Sequence, residues 1–219
     1  GAAILGFSFY LTRPQLQTVK VVGSAATTFE ADTVKWQLSM GRVVAAEELA
    51  AGYGRVAEDF RRLRDRLVAS GLGADEIAAQ PVSTYPVHSP QGEINSYRMM
   101  QPVQVISENL DAVESLALDP GSFLTGEMVL ERSQLEYFYS GIDQLKHELL
   151  GRATSDARAR AVEIAEPAGV SVGAVREARA GVFQIREPFS TEVSGYGVYN
   201  TSSRQKEITV TVHAEFLVR

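Results

Sequence analysis

The chain has 219 residues, 45% hydrophobic and 22% charged, the balance of an ordinary globular protein long enough for one large domain or two small ones. Its formal net charge of -6 supplies no global field to recruit nucleic acid or an anionic membrane surface. Cysteine is absent, which excludes disulfides, thiolate metal sites and a cysteine nucleophile together.

The first stretch, Gly1 to Leu11, carries no charge before Arg13. It is too short to cross a bilayer, which takes about 20 helical residues. The run reads as the outer end of an N-terminal membrane anchor built from Ile4, Leu5, Phe7, Phe9, Tyr10 and Leu11, with Phe9 and Tyr10 at the interface. A retained signal region and a short apolar helix packed on the body or on a neighbouring subunit are the alternatives. The expected layout is an anchor and linker over 1–17 and one domain over 18–219.

Val19, Val21 and Val22 mark a strand from Thr18 to Gly23, and the small residues of Ser24 to Ala31 suggest a wide connection after it. Asp32 to Val44 alternates cleanly, with Val34, Trp36, Leu38 and Met40 on one face, as a half-buried strand requires. From Ala45 to Ser70 the period becomes helical through Leu49, Tyr53, Val56, Phe60, Leu63 and Leu67, and Gly71 is the stop. Within this helix, Arg61, Arg62, Arg64 and Arg66 are interleaved with Glu58, Asp59 and Asp65, as on a solvated face.

Asp75 to Ala79 reads as a short turn or strand lead-in, followed by strands at Gln80 to His88 and Ser96 to Ser107. Pro81, Pro86 and Pro102 predict that these strands are edges, bulged or only partly paired. A short helix over Glu108 to Leu118, capped by Asn109 or Ser107, and a strand over Thr125 to Glu131 come next.

Leu135 to Ala168 reads as one long helix. Phe138, Ile142, Leu145, Leu149, Ala153, Ala157, Ala161, Ile164 and Ala168 recur at three- and four-residue steps. Its buried face turns almost wholly to alanine halfway along, which predicts that it lies flat on a neighbouring surface. Val170 to Ile185 is a strand run broken by Gly173 and Gly181, and Pro188 to Asn200, an aromatic-bearing stretch with no clear period, is a loop or a loose hairpin tip. Lys206 to Val218 alternates best of all, with Ile208, Val210, Val212, Ala214, Phe216 and Val218 on one face, and should be central in its sheet. With so few helices and so many hairpins, the class is α+β: antiparallel or mixed sheets with two long helices and one short helix packed on one face.

Four stretches, in this order, resemble the SIMPL-domain family. They are Val19–Gly23 with Glu30–Trp36, Leu67–Leu72 with Asp75–Ile77, Ala153–Ala161 running into Ala168–Gly173, and Lys206–Val212. Gly-Val-Phe-Gln-Ile at 181–185 is further similar to a subgroup with an N-terminal membrane helix. Ala31, where many relatives place proline, and Pro167 depart from the pattern. The resemblance implies an α+β fold, a periplasmic or otherwise extracytoplasmic envelope location and self-assembly, with a link to oxidative-stress tolerance in some members. It implies no activity.

Chemistry is hard to find in the residues themselves. His88, His147 and His213 lack metal-ligand spacing, and there is no Gly-x-Ser-x-Gly or phosphate-cradling loop. The carboxylate pairs Glu47–Glu48 and Glu58–Asp59 are what helix surfaces produce. Tyr137, Phe138 and Tyr139, with Tyr196 and Tyr199, suit core packing and loop anchoring, or a ligand or subunit contact. The expectation is a non-enzymatic, membrane-anchored envelope protein that forms a homo-oligomer, with no cofactor, no metal, no nucleic acid and an unidentified protein partner. A small-molecule or peptide-binding module, using a cleft between the sheet and the two long helices, is the alternative.

Overall fold

A computed structural model describes residues 17–124 and 126–219. Two compact units make up the chain, and neither is continuous in sequence. Unit 1 takes the described residues up to Phe29, then Gly141–Asn200 and Lys206–Arg219; unit 2 takes Glu30–Ser140 and Thr201–Gln205.

Unit 2 is built on β2 (Thr33–Ala45), whose alternation buries Val34, Trp36, Leu38 and Met40. Its flanks are β5 (Ile94–Ser107) and β6 (Val129–Phe138), both antiparallel. Beyond β5 lie β3 (Ile77–Ala79) and β4 (Ser83–His88), end to end. Pro86 sits in β4, on the edge. Pro102 is in the interior of the sheet but at the break between β3 and β4, where its carbonyl accepts from the Gln80 N–H at 2.8 Å. Its missing N–H therefore interrupts no ladder.

Helices α1 (Leu49–Ala69) and α2 (Leu110–Leu118) close the unit 2 core. Leu63 and Leu67 of the first, and Leu110, Val113 and Leu116 of the second, pack with Trp36 and Phe123. The two rings meet edge to face, centroids 5.9 Å apart. Gly71, at φ 96°, ends α1, and the Leu72 N–H donates to the Leu67 carbonyl in a Schellman closure. Asn109 caps α2 by accepting from the Ala112 N–H at 3.2 Å.

The long helix α3 is shorter than its sequence period suggested: it runs Ile142–Ala165, and Leu135 to Phe138 belong to β6. Pairing to β2 decides this stretch, with Leu135 opposite Trp36 and Phe138 opposite Thr33. Turn residues Ser140 and Gly141 then separate strand from helix. At its far end α3 passes through a 3₁₀ turn holding Pro167 and stops at Gly169, φ 71°.

In unit 1, β10 (Gln205–Val218) is central, with β1 (Thr18–Glu30) on one side. On the other side lie β7 (Val172–Ala180) and β8 (Gln184–Arg186), both antiparallel to β10. A two-residue β9 (Val198–Tyr199) runs parallel to β8. The expected wide connection at Ser24 to Ala31 is instead a continuation of β1. Its small residues reflect contact with α3, not a loop. A Cβ on Gly23 would fall 2.2 Å from the Ala153 carbonyl oxygen and 2.3 Å from the Ala157 nitrogen. Ala153, Ala157 and Ala161 are wholly buried. The helix does lie flat, because both surfaces have given up their side chains at the contact.

That helix also covers the rim of β1. The Ser24 N–H donates to Asp156 Oδ2 at 2.8 Å, and Arg152 Nη2 donates to the Ala26 carbonyl at 3.4 Å. The Ser24 N–H holds the Asp156 carboxyl below its usual range, with Arg160 adding to the effect. On the other flank Arg158 donates to the Gly173 carbonyl at 3.3 Å. Irregular register in β7 between its partners Glu215 and Val218 twists that edge as well.

Candidate functional site

Helix α3 packs on the face of β10 that carries Ile208, Val210, Val212, Ala214 and Phe216. The opposite face carries Glu207, Thr209, Thr211, His213 and Glu215, and two concavities open along it.

The first, of about 480 Å³, lies under the loop that joins β8 to β9. Gln184 clamps this loop at both ends of its amide: Nε2 donates to the Ser194 carbonyl at 2.7 Å, and the Ser194 N–H donates to Oε1 at 3.3 Å. Arg186 adds a second anchor, donating from Nη1 to the Glu192 carbonyl at 3.1 Å and from Nη2 to Glu207 Oε1 at 3.2 Å. Arg186 Nε and Thr209 Oγ1 are buried in its lining without a hydrogen-bond partner.

The loop so anchored turns its large side chains outward. Phe189 and Tyr196 are 100% exposed and Val193 is 73% exposed. Phe189 also holds φ 65°, a left-handed conformation uncommon for a residue with a bulky side chain. A loop fixed by polar clamps that leaves its apolar groups in water has the form of a contact surface.

The second concavity, of about 610 Å³, spans β1, β10 and β7 farther along the same face. Lys20, Arg179 and His213 line it together with Glu177, Glu215 and the half-exposed Val22. Direct pairing sets Glu177 opposite Glu215, a repulsive arrangement that cations relieve. Arg179 bonds Glu177 at 2.7 Å, and Arg176 bonds Glu215 at 3.0 Å. A hydrogen bond from Thr18, with Lys20 and Arg176 nearby, holds the Glu215 carboxyl below its usual range.

At the start of β10, on the core side, Lys206 is fully buried. Its Nζ donates to the Asn200 carbonyl at 2.6 Å, and burial pushes its pKa down to about 8. No sequence signal marked it, since a lysine beside a strand start reads as a solvent residue. In unit 2, Arg204 gathers Asp111, Glu30 and Glu114 at 2.6, 2.7 and 3.3 Å. Asp111 first, then Glu30, raise the guanidinium's proton affinity further. Burial and a hydrogen bond to Glu114 push the Tyr137 hydroxyl up to about 12.

The residues singled out by sequence fall as follows. Ile4, Leu5, Phe7, Phe9, Tyr10 and Leu11 lie outside the described residues, and no described helix is long and apolar enough to cross a membrane. His147 is on α3 and His213 on the open face of β10, while His88 ends β4 in unit 2. Among the described residues, no three His, Asp or Glu side chains are grouped to hold a metal ion. Tyr137 is buried in unit 2 whereas Tyr196 is exposed in unit 1, so the aromatic group is divided. Glu58 pairs on the surface with Arg62, but Asp59 is buried and takes a two-pronged bond from Arg42 at 2.9 and 3.2 Å. The expected cleft along the helices is not where the concavities of unit 1 lie.

Two antiparallel-rich sheets, one covered by α3 and the other by α1 and α2, define an α+β protein. The chain belongs to the SIMPL family, described as proteins of unknown function (DUF541), whose model matches residues 19–216. The match takes in both compact units. No curated protein matches the chain.

Proposed function

We propose that the protein is a non-enzymatic, membrane-anchored component of the cell envelope that self-assembles into a homo-oligomer. The observation that carries self-assembly is the loop of unit 1, anchored by Gln184 and Arg186 while Phe189 and Tyr196 stand fully exposed. Fully exposed rings on an ordered loop are an unfavourable surface for a monomer and a favourable one for a contact. The uncharged run Gly1 to Leu11 supports attachment to a membrane, and family membership supports the envelope location.

Light scattering on the full chain tests the reading. The wild type is expected to give a mass of at least two subunits, and Phe189→Ser/Tyr196→Ser to shift toward one. A wild type of one subunit at all concentrations removes self-assembly as its role.

A second reading, an envelope small-molecule-binding module, is favoured by the unsatisfied Arg186 Nε and Thr209 Oγ1 beside the 480 Å³ concavity. Buried polar groups left unpaired are unfavourable by about 1–3 kcal/mol each, and a ligand accepting from both would recover that energy. N-acetylated amino-acid amides are suitable thermal-shift probes. Stabilisation that disappears in Thr209→Val supports this reading, and none with any probe counts against it.

A further inference from the structure

We propose that the second copy sits on the open sheet face of unit 1, with the acidic aromatic loop of each protomer seated in the 610 Å³ concavity of the other. This rests on the self-assembly reading above and names the surface that performs it.

The two parts complement one another in charge. Between Glu187 and Ser203 the only ionisable acidic or basic side chains are Glu187 and Glu192, both exposed. The concavity is bordered by three cations, Lys20, Arg176 and Arg179, against two carboxylates, Glu177 and Glu215. Its carboxylates are already engaged. Glu215 meets Arg176 at 3.0 Å and Lys20 at 4.0 Å, and Glu177 meets Arg179 at 2.7 Å. Lys20 and Arg179 nonetheless keep side chains 78% and 80% exposed, available to an incoming carboxylate. Val22, 43% exposed, offers an apolar patch for a ring.

Position supplies the second argument. The loop stands over Thr209 and Thr211, while the concavity is floored by His213 and Glu215, the next outward residues along β10. Donor and receiver therefore share one face of one strand. A two-fold axis lying between two facing sheets makes both contacts at once, the self-complementary geometry that closes as a dimer. The β1–β10–β7 area, three strands wide and about nine residues long, offers roughly 400 Å². Two exposed aromatic rings add about as much again, which reaches the ~800 Å² per partner of a stable interface.

Edge-to-edge pairing is a poorer route to the same dimer. Asp156 and Arg152 occupy backbone groups of β1, and Arg158 and irregular register interrupt β7. Face-to-face docking needs neither edge.

The test uses two variants of the full chain. Glu187→Lys/Glu192→Lys makes the loop basic, and Lys20→Glu/Arg179→Glu makes the concavity acidic. All four side chains are exposed, so circular dichroism should show both variants folded. By sedimentation velocity each variant alone is expected to dissociate, with Kd at least 10-fold weaker than wild type. An equimolar mixture restores association, because each loop then meets an opposite charge in its partner. Wild-type affinity should also fall as salt rises from 0.1 to 1 M, over which the screening length drops from about 10 to 3 Å. Variants that associate as well as wild type, or a mixture that stays dissociated, overturn this interface while leaving self-assembly standing. A monomeric wild type overturns both.

Discussion

Lys206 provides a direct test of how the core of unit 1 is built. Its side chain points to the same face of β10 as Ile208, Val210 and Val212, is fully buried, and meets the Asn200 carbonyl at 2.6 Å. A fall in pKa from 10.5 to about 8 corresponds to roughly 3 kcal/mol, at 1.36 kcal/mol for each tenfold change in proton affinity. Because the folded value is depressed, the unfolded chain binds more protons between pH 8 and 10.5. Stability should therefore rise with pH across that window and be lower at neutral pH. Lys206→Met removes the titration. The variant has two opposed effects at pH 7: it abolishes the buried charge, and it leaves the Asn200 carbonyl without this donor, at about 1–3 kcal/mol. The difference between the proteins is independent of that second term if followed against pH. Urea unfolding of both proteins from pH 7 to 10.5, monitored by circular dichroism, should show the wild type gaining about 3 kcal/mol relative to the variant. A difference that stays constant with pH would refute the claim that Lys206 carries its charge into the core.

Four other substitutions probe packing and the loop. Gly23→Ala places a methyl 2.2–2.7 Å from backbone atoms of α3, which cannot move aside singly, and should lower stability by 3 kcal/mol or thereabouts; Gly54→Ala, with nothing within 4 Å, should instead stabilise α1 by about 1 kcal/mol. Thermal melts that rank the two in the opposite order would contradict the flat helix-on-strand contact. Arg42→Met strands the buried Asp59 carboxylate and should destabilise by about 3–5 kcal/mol in urea titrations, with recovery when Asp59 is also replaced by Leu. Phe189→Gly, at φ 65°, should leave stability unchanged or up to about 1 kcal/mol higher while weakening association, so a melt and a sedimentation run on one variant move in different directions.

Much of the fold is written in side-chain period, and the departures have identifiable causes. β2 and β10 are legible because each has one buried face, and α1 because Leu63 and Leu67 sit one turn apart on its buried side. Period alone extended α3 too far upstream, since Phe138 and Ile142 fall four apart by coincidence across the Ser140–Gly141 turn. Small residues in β1 looked like a connection because composition cannot distinguish a loop from a strand stripped of side chains by a close neighbour. Gly23 and Ala25 on β1 and Ala153 and Ala157 on α3 are two sides of one packing problem, separated by well over a hundred residues. For the same reason, Asp59 and Lys206 could not be recognised as buried. Their partners, Arg42 and the Asn200 carbonyl, are determined by tertiary position. The concavities likewise depend on β1, β7 and β10 meeting. Only the loop at Pro188 to Asn200 was visible beforehand, as an aromatic stretch without period.

Asp156 and Arg152 give α3 a duty during folding as well as in the finished protein. The thirteen residues of β1 form the outer strand of their sheet, and an outer strand unmasked during synthesis is a template for the wrong partner. Since the shield is carried by a helix more than a hundred residues later in the chain, β1 is unguarded until α3 has been made and docked. Protection against misassembly is thus timed by chain order, and a lesion that merely delays the docking of α3 would be felt as aggregation of nascent protein before any loss of stability in the mature one.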